Sequence, residues 1–226
     1  MKLQRISERI RIYPHEKYRD RPALGYIQGD AFSIAVDAGH SANHIHEFYA
    51  ALEKEHLPLP SVTILTHWHW DHSFAAHAAN GLVIANSATG KHLASFREKI
   101  KTEGTAYFLS LDKTIQREYE DTEPVITLPD LLFENQLYID AGNCPVHLFR
   151  TVSPHTDDAT LVHVPNERVL FIGDASSGVF PSWEKDAALC RKFAETIEPL
   201  DFVISIRSHS APETKEEFMQ DLWEDC

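Results

Sequence analysis

One short stretch constrains this chain more than any other, the sequence THWHWDHS at residues 66–73. It follows VTIL at 62–65, an apolar run that predicts a buried strand. In an extended chain alternate side chains share a face, so His67 and His69 point the same way and can bind one metal ion. Asp71 has the same parity, but His72 does not. If the chain turns into a helix at Asp71, these two side chains are directed at a second point. Four ligands on one bend therefore suit two metal ions better than one.

Three further candidate ligands stand just past the end of an apolar strand, as His67 does. His155 follows VHLFRTV, Asp174 follows VLFI and His209 follows DFVISI. Zinc takes about four ligands per ion, which is more than the bend alone supplies for two ions. Loops at one edge of a sheet can converge in space, so these three residues can complete the sites.

The apolar periodicity predicts the order of helices and strands along the chain. Strands are predicted at 10–14, 32–39, 62–65, 82–87, 136–140, 146–152 and 201–206, with a hairpin over 159–174 that turns at residues 165–167. Helices are predicted at 43–56, 71–80, 89–101, 184–198 and 212–225. Strands in runs with helices between them favour two layers of sheet with helices outside over a strict βαβ repeat. Residues from about 102 to 130 are the least patterned and are predicted to form an excursion, a candidate lid.

Length and charge limit the classes of function. A chain of 226 residues is predicted to form one domain over residues 1–226. The formal net charge of −13 argues against nucleic acid and against an anionic membrane surface as partners. A small-molecule substrate is therefore expected, and a homodimer is left open. No apolar run approaches the ~20 residues that span a bilayer, and the start MKLQRISERI lacks the apolar core of a signal peptide.

The three cysteines, Cys144, Cys190 and Cys226, are far apart in the sequence and odd in number. This pattern favours free thiols in a reducing compartment over a disulfide framework. Together with the missing signal peptide, it predicts a cytoplasmic protein.

In the order and spacing of these motifs the chain resembles the metallo-β-lactamase-fold hydrolases. The resemblance extends from VDAG at 36–39 to SHS at 208–210, which is nearly the whole chain. It implies an α/β (α+β) fold, a four-layer αββα sandwich of two mixed β-sheets flanked by helices, with the site along one edge. It also implies that one metal ion is held by His67, His69 and His155.

For the second metal ion the resemblance implies Asp71, His72 and His209 as ligands, with Asp174 bridging the two ions. Asp37 would lie behind the ligands and orient one of the histidines. Two divalent cations are implied, with Zn²⁺ as the default and iron or manganese as alternatives. Asp71 is the candidate catalytic residue, because its carboxylate can orient a hydroxide and pass a proton to the leaving group.

The chemistry implied is hydrolysis of a small ester, thioester or lactone by a hydroxide that the metal ions activate. Two alternatives stay open: a metal-loaded binding or sensing protein on the same fold, and a phosphodiesterase. Trp68 is predicted to pack beneath the metal loop, whereas Trp70 is equally suited to packing or to a wall of the substrate pocket. Arg150 and Arg207 are candidate anchors for a substrate carboxylate.

Overall fold

Two β-sheets packed face to face form the centre of the protein, as a computed structural model of all 226 residues shows. The first sheet has seven strands in chain order: β1 (Gln4–Arg5), β2 (Ile10–Tyr13), β3 (Leu24–Gln28), β4 (Ser33–Val36), β5 (Val62–Ile64), β6 (Leu82–Asn86) and β7 (Leu131–Phe133). Strands β1 to β4 pair antiparallel, whereas β4 to β7 pair parallel. The sheet is therefore mixed, as predicted.

The second sheet has six strands in the order β13-β12-β11-β10-β9-β8. Their bounds are β8 (Gln136–Asp140), β9 (Pro145–Arg150), β10 (Thr160–Val164), β11 (Val169–Gly173), β12 (Ile204–Arg207) and β13 (Glu213–Thr214). Only β11 and β12 pair parallel, so this sheet is also mixed. The predicted turn of the β10–β11 hairpin is confirmed, because a 3₁₀ turn over Pro165–Glu167 joins the two strands.

Seven helices complete the fold: α1 (Ala42–Lys54), α2 (Trp70–Ser73), α3 (Ser87–Glu103), α4 (Thr105–Leu109), α5 (Lys113–Glu118), α6 (Ala187–Ile197) and α7 (Lys215–Asp225). No helix combines the length and the apolar character needed to cross a membrane. The helices α1, α3, α4 and α5 bury side chains against the outer face of the first sheet. The helices α6 and α7 do the same on the second sheet.

The core between the sheets consists of the inward-facing side chains of both sheets, among them Ile34, Val162 and Phe171. Aliphatic and aromatic side chains at alternate strand positions exclude water from this layer, and their burial is the main driving force for the sandwich. Strand β3, which was not predicted, contains Gly25. A Cβ atom there would lie 2.5 Å from the ring of Phe171, so glycine allows the sheets to approach closely. The four-layer αββα prediction is confirmed.

The prediction of a helix over 71–80 is wrong in length. The helix α2 ends at Ser73 and a 3₁₀ turn follows over Phe74–Ala78. The Oγ atom of Ser73 donates to the carbonyls of Trp68 and His69, and the carbonyl of His72 accepts from the backbone of residues 38 and 39. These contacts attach the bend to the loop after β4. The groups involved are therefore not used to extend the helix.

The excursion over 102–130 has short helices of its own. Its side chains Phe108, Ile115 and Tyr119 are buried in the cluster between the helices and the first sheet. Glu118 accepts hydrogen bonds from Arg21 and from Ser41, and all three side chains are buried. The segment is thus attached to the rest of the protein by apolar and ionic contacts, and its role as a lid stays a prediction.

The prediction of free thiols is wrong for two of the three cysteines. Cys190 on α6 and Cys226 at the end of α7 form a disulfide bond, and only Cys144 is free. The two helices pack side by side, which brings residues 36 positions apart in sequence into contact. Disulfides of this kind persist mainly in oxidising compartments. The cytoplasmic location therefore stays a prediction, with this bond as an argument against it.

Candidate metal centre

The seven predicted ligands meet at one edge of the sandwich, where several strands end. They form two groups whose ligand atoms lie within 4.8 Å of one another: His67, His69 and His155 in the first group, and Asp71, His72, Asp174 and His209 in the second. All are buried except His209, which is partly exposed. The bend after β5 supplies four of the seven residues, and three later loops supply one each.

Contacts between these loops hold the late ligands in place. The Oγ atom of Ser153 accepts from the backbone of His155 and donates to the carbonyl of Ala175, one residue after Asp174. The amide of Ser208 donates to the carbonyl of Gly173. Strand β11 also has a register shift between Phe171 and Gly173, which directs the following residue toward the bend.

Gly173 is required at this point of the chain. Its φ is +60°, and a Cβ atom would lie 2.9 Å from the hydroxyl of Thr66. Glycine removes both the steric contact and the cost of the left-handed conformation. The end of β11 can therefore approach the bend closely enough to place Asp174 among the histidines.

In the first group the ring nitrogens face a common point. The Nε2 atoms of His67 and His155 lie 3.1 and 3.0 Å from Nδ1 of His69. Burial, followed by the charge of the neighbouring His155, lowers the pKa of His69 to about 3. Burial, followed by the charge of His72, also holds the pKa of His67 well below its usual range. Imidazoles that stay neutral at pH 7 and converge are suited to binding a metal ion.

In the second group carboxylates alternate with imidazoles. His72 Nε2 lies 3.3 Å from Asp71 Oδ2 and 3.4 Å from Asp174 Oδ2, and His209 Nε2 lies 3.1 and 3.5 Å from the same two atoms. Burial opposes charge here, but Asp71, followed by Asp37, raises the pKa of His72 well above its usual value. Burial likewise opposes the effect of Asp174 and Asp20, which raise the pKa of His209.

Asp174 is the residue that lies against both groups. Its Oδ2 atom is 3.4 Å from His72 and 3.5 Å from His209 in the second group, and 3.9 Å from Nε2 of His155 in the first. Although burial opposes it, the charges of His209 and His72 hold the pKa of Asp174 well below its usual range. The carboxylate is therefore ionised between the two groups.

Four of the histidines direct Nε2 into the site. The other ring nitrogen of each, Nδ1, has a partner outside the site. The Nδ1 atom of His72 donates to Asp37 Oδ2 at 2.7 Å, and that of His155 donates to the carbonyl of Gly178 at 2.6 Å. His67 Nδ1 contacts Thr66, and His209 Nδ1 lies 3.2 Å from Asp20. Partners on one nitrogen fix the ring and direct the other nitrogen into the site.

Asp37 is shaped for this role by its backbone. It has a φ of +65°, a left-handed conformation that aspartate tolerates better than most residues. Its carboxylate accepts from the amide and the hydroxyl of Thr66 as well as from His72. One buried side chain thus connects the first residue of the bend to a histidine of the second group.

The donor set fits divalent cations. The three imidazoles of the first group converge on one point, and His72 Nε2 in the second group has only the carboxylates of Asp71 and Asp174 near it, at 3.3 and 3.4 Å. Buried nitrogens and carboxylates gathered in this way are stabilised by a bound cation. Imidazole and carboxylate ligands suit zinc, iron and manganese.

A family model for the metallo-beta-lactamase superfamily matches residues 23–209. The chain belongs to the metallo-beta-lactamase superfamily. As a member of this superfamily, the protein is a metallo-hydrolase. No curated protein matches the chain in sequence.

Solved structures of this superfamily show the same fold at low identity. A metallo-beta-lactamase from Pontibacter korlensis superposes with a TM-score of 0.71 at 14% identity over 99% of this chain and 98% of that one. A metallo-beta-lactamase from Hirschia baltica gives 0.66 at 15% identity over 99% and 96%. The sec-alkylsulfatase Pisa1 from Pseudomonas sp. gives 0.77 at 16% identity, but the chain spans only 40% of that protein's length.

A cavity of about 350 Å³ opens over the two groups of candidate ligands. Besides four of these ligands, it is lined by three aromatic side chains, Trp70, Phe180 and Trp183, and by charged and polar side chains: Lys17, Asp20, Asp112, Thr114 and Ser177. The excursion over 102–130 contributes Asp112 and Thr114. Trp70 is thus a wall of the cavity as well as part of the core.

The other candidate substrate contacts lie elsewhere. Trp68 packs against Phe96 and His92, as predicted. Arg150 donates to the carbonyl of Asp157 and lines a separate cleft. Arg207 pairs with Glu213. Neither arginine lines the cavity, so neither is placed to anchor a substrate there.

Sequence reasoning missed Lys17, Asp20 and Trp183 as lining residues. Lys17 and Asp20 belong to a charged loop without periodicity, and Trp183 to an irregular loop before α6. The isolated tryptophan in a polar loop is the one signal that the sequence offered, because an exposed aromatic side chain is often part of a binding surface.

Proposed function

We propose that this protein is a dinuclear metal-dependent hydrolase of a small ester, thioester or lactone. The observation that carries the proposal is the separation of seven candidate ligands, six of them buried, into two adjoining groups with Asp174 between them. His67, His69 and His155 would hold one ion. Asp71, His72 and His209 would hold the other.

Two divalent cations at such a site supply a lowered pKa for water and a polarised carbonyl oxygen. The chain's own residues provide the rest. The Asp71 carboxylate lines the cavity and lies 3.1 Å from Nε2 of His209. Although burial opposes ionisation, His72 and His209 hold the pKa of Asp71 well below its usual range, so it is ionised at neutral pH. An ionised carboxylate at this place can orient a water molecule and carry a proton to the leaving group.

Zn²⁺ is the metal we propose, with iron or manganese as the alternatives that this mixture of imidazole and carboxylate ligands admits. Metal analysis of the purified and reconstituted protein is expected to give two ions per chain. Less than one ion per chain would contradict the dinuclear proposal.

A panel of generic esters, thioesters, lactones and bis-(p-nitrophenyl) phosphate tests the activity of the metal-loaded protein. We expect turnover of at least one carbonyl substrate. Turnover of the phosphodiester alone would make the protein a phosphodiesterase. If the protein with both ions bound hydrolyses none of these compounds, a binding or sensing role is favoured instead.

The substitution His69→Ala separates catalysis at this site from catalysis by a contaminant. It removes the nitrogen on which the rings of His67 and His155 converge, so hydrolysis should be lost. His46→Ala is the matched control, because His46 is exposed on α1 and lies outside the site. Activity that survives His69→Ala would overturn the mechanism.

A further inference from the structure

The loop between β2 and β3 forms a closed hairpin beside the metal centre. The backbones of Glu16 and Arg21 bond to each other in both directions, at 2.8 and 2.9 Å. The carboxylate of Glu16 accepts from the backbone amides of Tyr18 and Arg19. The four residues between this pair are thereby held in a tight turn, and two of them, Lys17 and Asp20, line the cavity.

Hydrogen bonds, an ion pair and a cation–π contact attach this hairpin to the excursion over residues 102–130. Arg21 donates to the buried carboxylate of Glu118 at 2.7 Å and to Glu47 at 3.0 Å. Arg117 donates to the carbonyl of Tyr18 at 3.0 Å, and its guanidinium lies 4.5 Å from the centre of the Tyr18 ring. Ionic contacts between buried groups are short and directional, so the backbone that carries Lys17 is fixed relative to the metal centre.

Lys17 is the one lysine or arginine that lines the cavity. It is exposed and takes part in none of the ion pairs of the structure. The two carboxylates of the cavity that are not predicted ligands do have partners. Asp20 lies 3.2 Å from His209, and Asp112 accepts from the amide and hydroxyl of Thr114. The ammonium of Lys17 is therefore a positive charge at the cavity that no ion pair within the protein occupies.

Trp70, Phe180 and Trp183 form an aromatic wall of the same cavity. The Phe180 ring is edge-to-face with Trp70 at 5.0 Å and with Trp183 at 5.8 Å. Trp183 is 54% exposed and has a φ of +58°, a conformation that is costly for a bulky side chain. Strained backbone conformations cluster at active sites and ligand clamps. An exposed tryptophan ring also offers a large apolar surface to a bound molecule.

We propose that Lys17 and this aromatic wall form a substrate subsite for carbonyl compounds that combine an apolar body with a carboxylate. The inference rests on the proposed hydrolase function and names the substrate class of the same site. The apolar body would pack on Trp183 and Phe180, and the carboxylate would pair with the ammonium of Lys17. On a protein of net charge −13, a substrate anion is otherwise repelled.

Binding measured by titration calorimetry tests this subsite without turnover. The probes are 4-phenylbutanoate and its uncharged analogue 4-phenylbutanamide, each added to the metal-loaded protein. We expect the wild type to prefer the anion. Lys17→Gln should weaken binding of the anion about tenfold, the effect of losing one charged hydrogen bond, and leave the amide unchanged. Lys17→Arg should restore most of the preference.

Lys113→Gln is the matched control, because Lys113 is an exposed lysine next to Asp112 that does not line the cavity. It should change neither affinity. If Lys17→Gln leaves the preference for the anion intact, the carboxylate binds the metal ions and not the lysine, and the proposal is wrong. A wild type without any preference for the anion would overturn it equally.

The aromatic half of the proposal has its own variant. Trp183→Ala should weaken both probes by the same factor, several-fold, because both carry the same phenyl ring. Unchanged affinities would contradict the wall as a binding surface. Because no probe is hydrolysed, these results stay valid if the hydrolase panel is silent, and the two failures can be told apart.

Discussion

The two halves of the metal centre are built from different chemistry. The first group has three imidazoles and no carboxylate of its own, and the pKa values of His67 and His69 lie below the usual value because burial disfavours the charged ring. The second group alternates two carboxylates with two imidazoles, and the pKa values of His72 and His209 lie above the usual value. In the metal-free protein burial therefore favours neutral rings at His67 and His69, whereas the neighbouring carboxylates favour protonated rings at His72 and His209.

In the dinuclear proposal the two groups therefore differ in their competition with protons. A cation at the first group meets two rings, His67 and His69, that burial keeps neutral. A cation at the second group competes with protons on His72 and His209, which lie against Asp71 and Asp174. The second group is thus a place where positive charge is required, whether protons or a metal ion supply it.

The largest expected effect comes from Asp174→Ala, which removes the carboxylate shared by both groups. We expect loss of the second ion, retention of the first, and a fall in hydrolysis of roughly a thousandfold, because a catalytic metal contributes several kcal/mol to the transition state. Atomic absorption and steady-state kinetics measure the two results. Asp201→Ala, which removes an exposed carboxylate that pairs with Arg168 away from the two groups, is the control. Two tightly bound ions in Asp174→Ala would show that the groups do not share a ligand.

The next effect is the dependence of metal uptake on pH. Because the pKa values of His72 and His209 are raised, protons compete with the second ion until the pH exceeds those values. Its affinity should rise with pH by up to about tenfold per unit for each proton displaced. The affinity of the first ion should depend on pH less steeply, since burial holds the pKa values of His67 and His69 below their usual range. Cobalt titrations at several pH values measure both affinities, and a shared pH dependence would refute the contrast.

A smaller effect is expected for Asp37→Asn. The substitution keeps the shape of the side chain but removes the charge that His72 faces at 2.7 Å. Loss of such a partner lowers metal affinity about 10- to 100-fold, and here the loss should be confined to the second ion. Cobalt absorption can follow the two ions separately. An equal loss at both sites would mean that Asp37 supports the whole bend, through its bonds to Thr66, and not one ligand.

The same region of the protein also shows which features the sequence could predict and which it could not. The convergence of the seven candidate ligands was predictable because they follow apolar strands, and the ends of strands lie at one edge of a sheet. The short helix α2 was not, because the hydrogen bonds of Ser73 and the contact of His72 with residues 38 and 39 override the local helical pattern. The pairing of Cys190 with Cys226 depends on how α6 packs on α7, which no local pattern specifies.

The two aspartates that contact candidate ligands from outside the site also differ in how far the sequence could predict them. Asp37 stands in a recognisable motif, VDAG, directly after a strand. Asp20 stands in a charged loop and reaches His209 across 189 positions of sequence, since 209 − 20 = 189. Its φ of +54° depends on the hairpin closed by Glu16 and Arg21. Contacts that depend on a tertiary turn of this kind leave no periodic signal.

The smallest expected effect tests this outer partner of the second group. Asp20→Asn should weaken the second ion only several-fold, because Asp20 is partly exposed and water can replace its contact with Nδ1 of His209. Asp157→Asn is a matched control, since it breaks a comparable contact between an aspartate and a histidine, His92, outside the two groups. Cobalt affinity of the first ion should be unchanged in both variants. A loss in Asp20→Asn as large as that in Asp37→Asn would show that exposure does not weaken this contact, and that the hairpin supports the metal centre as strongly as the buried aspartate does.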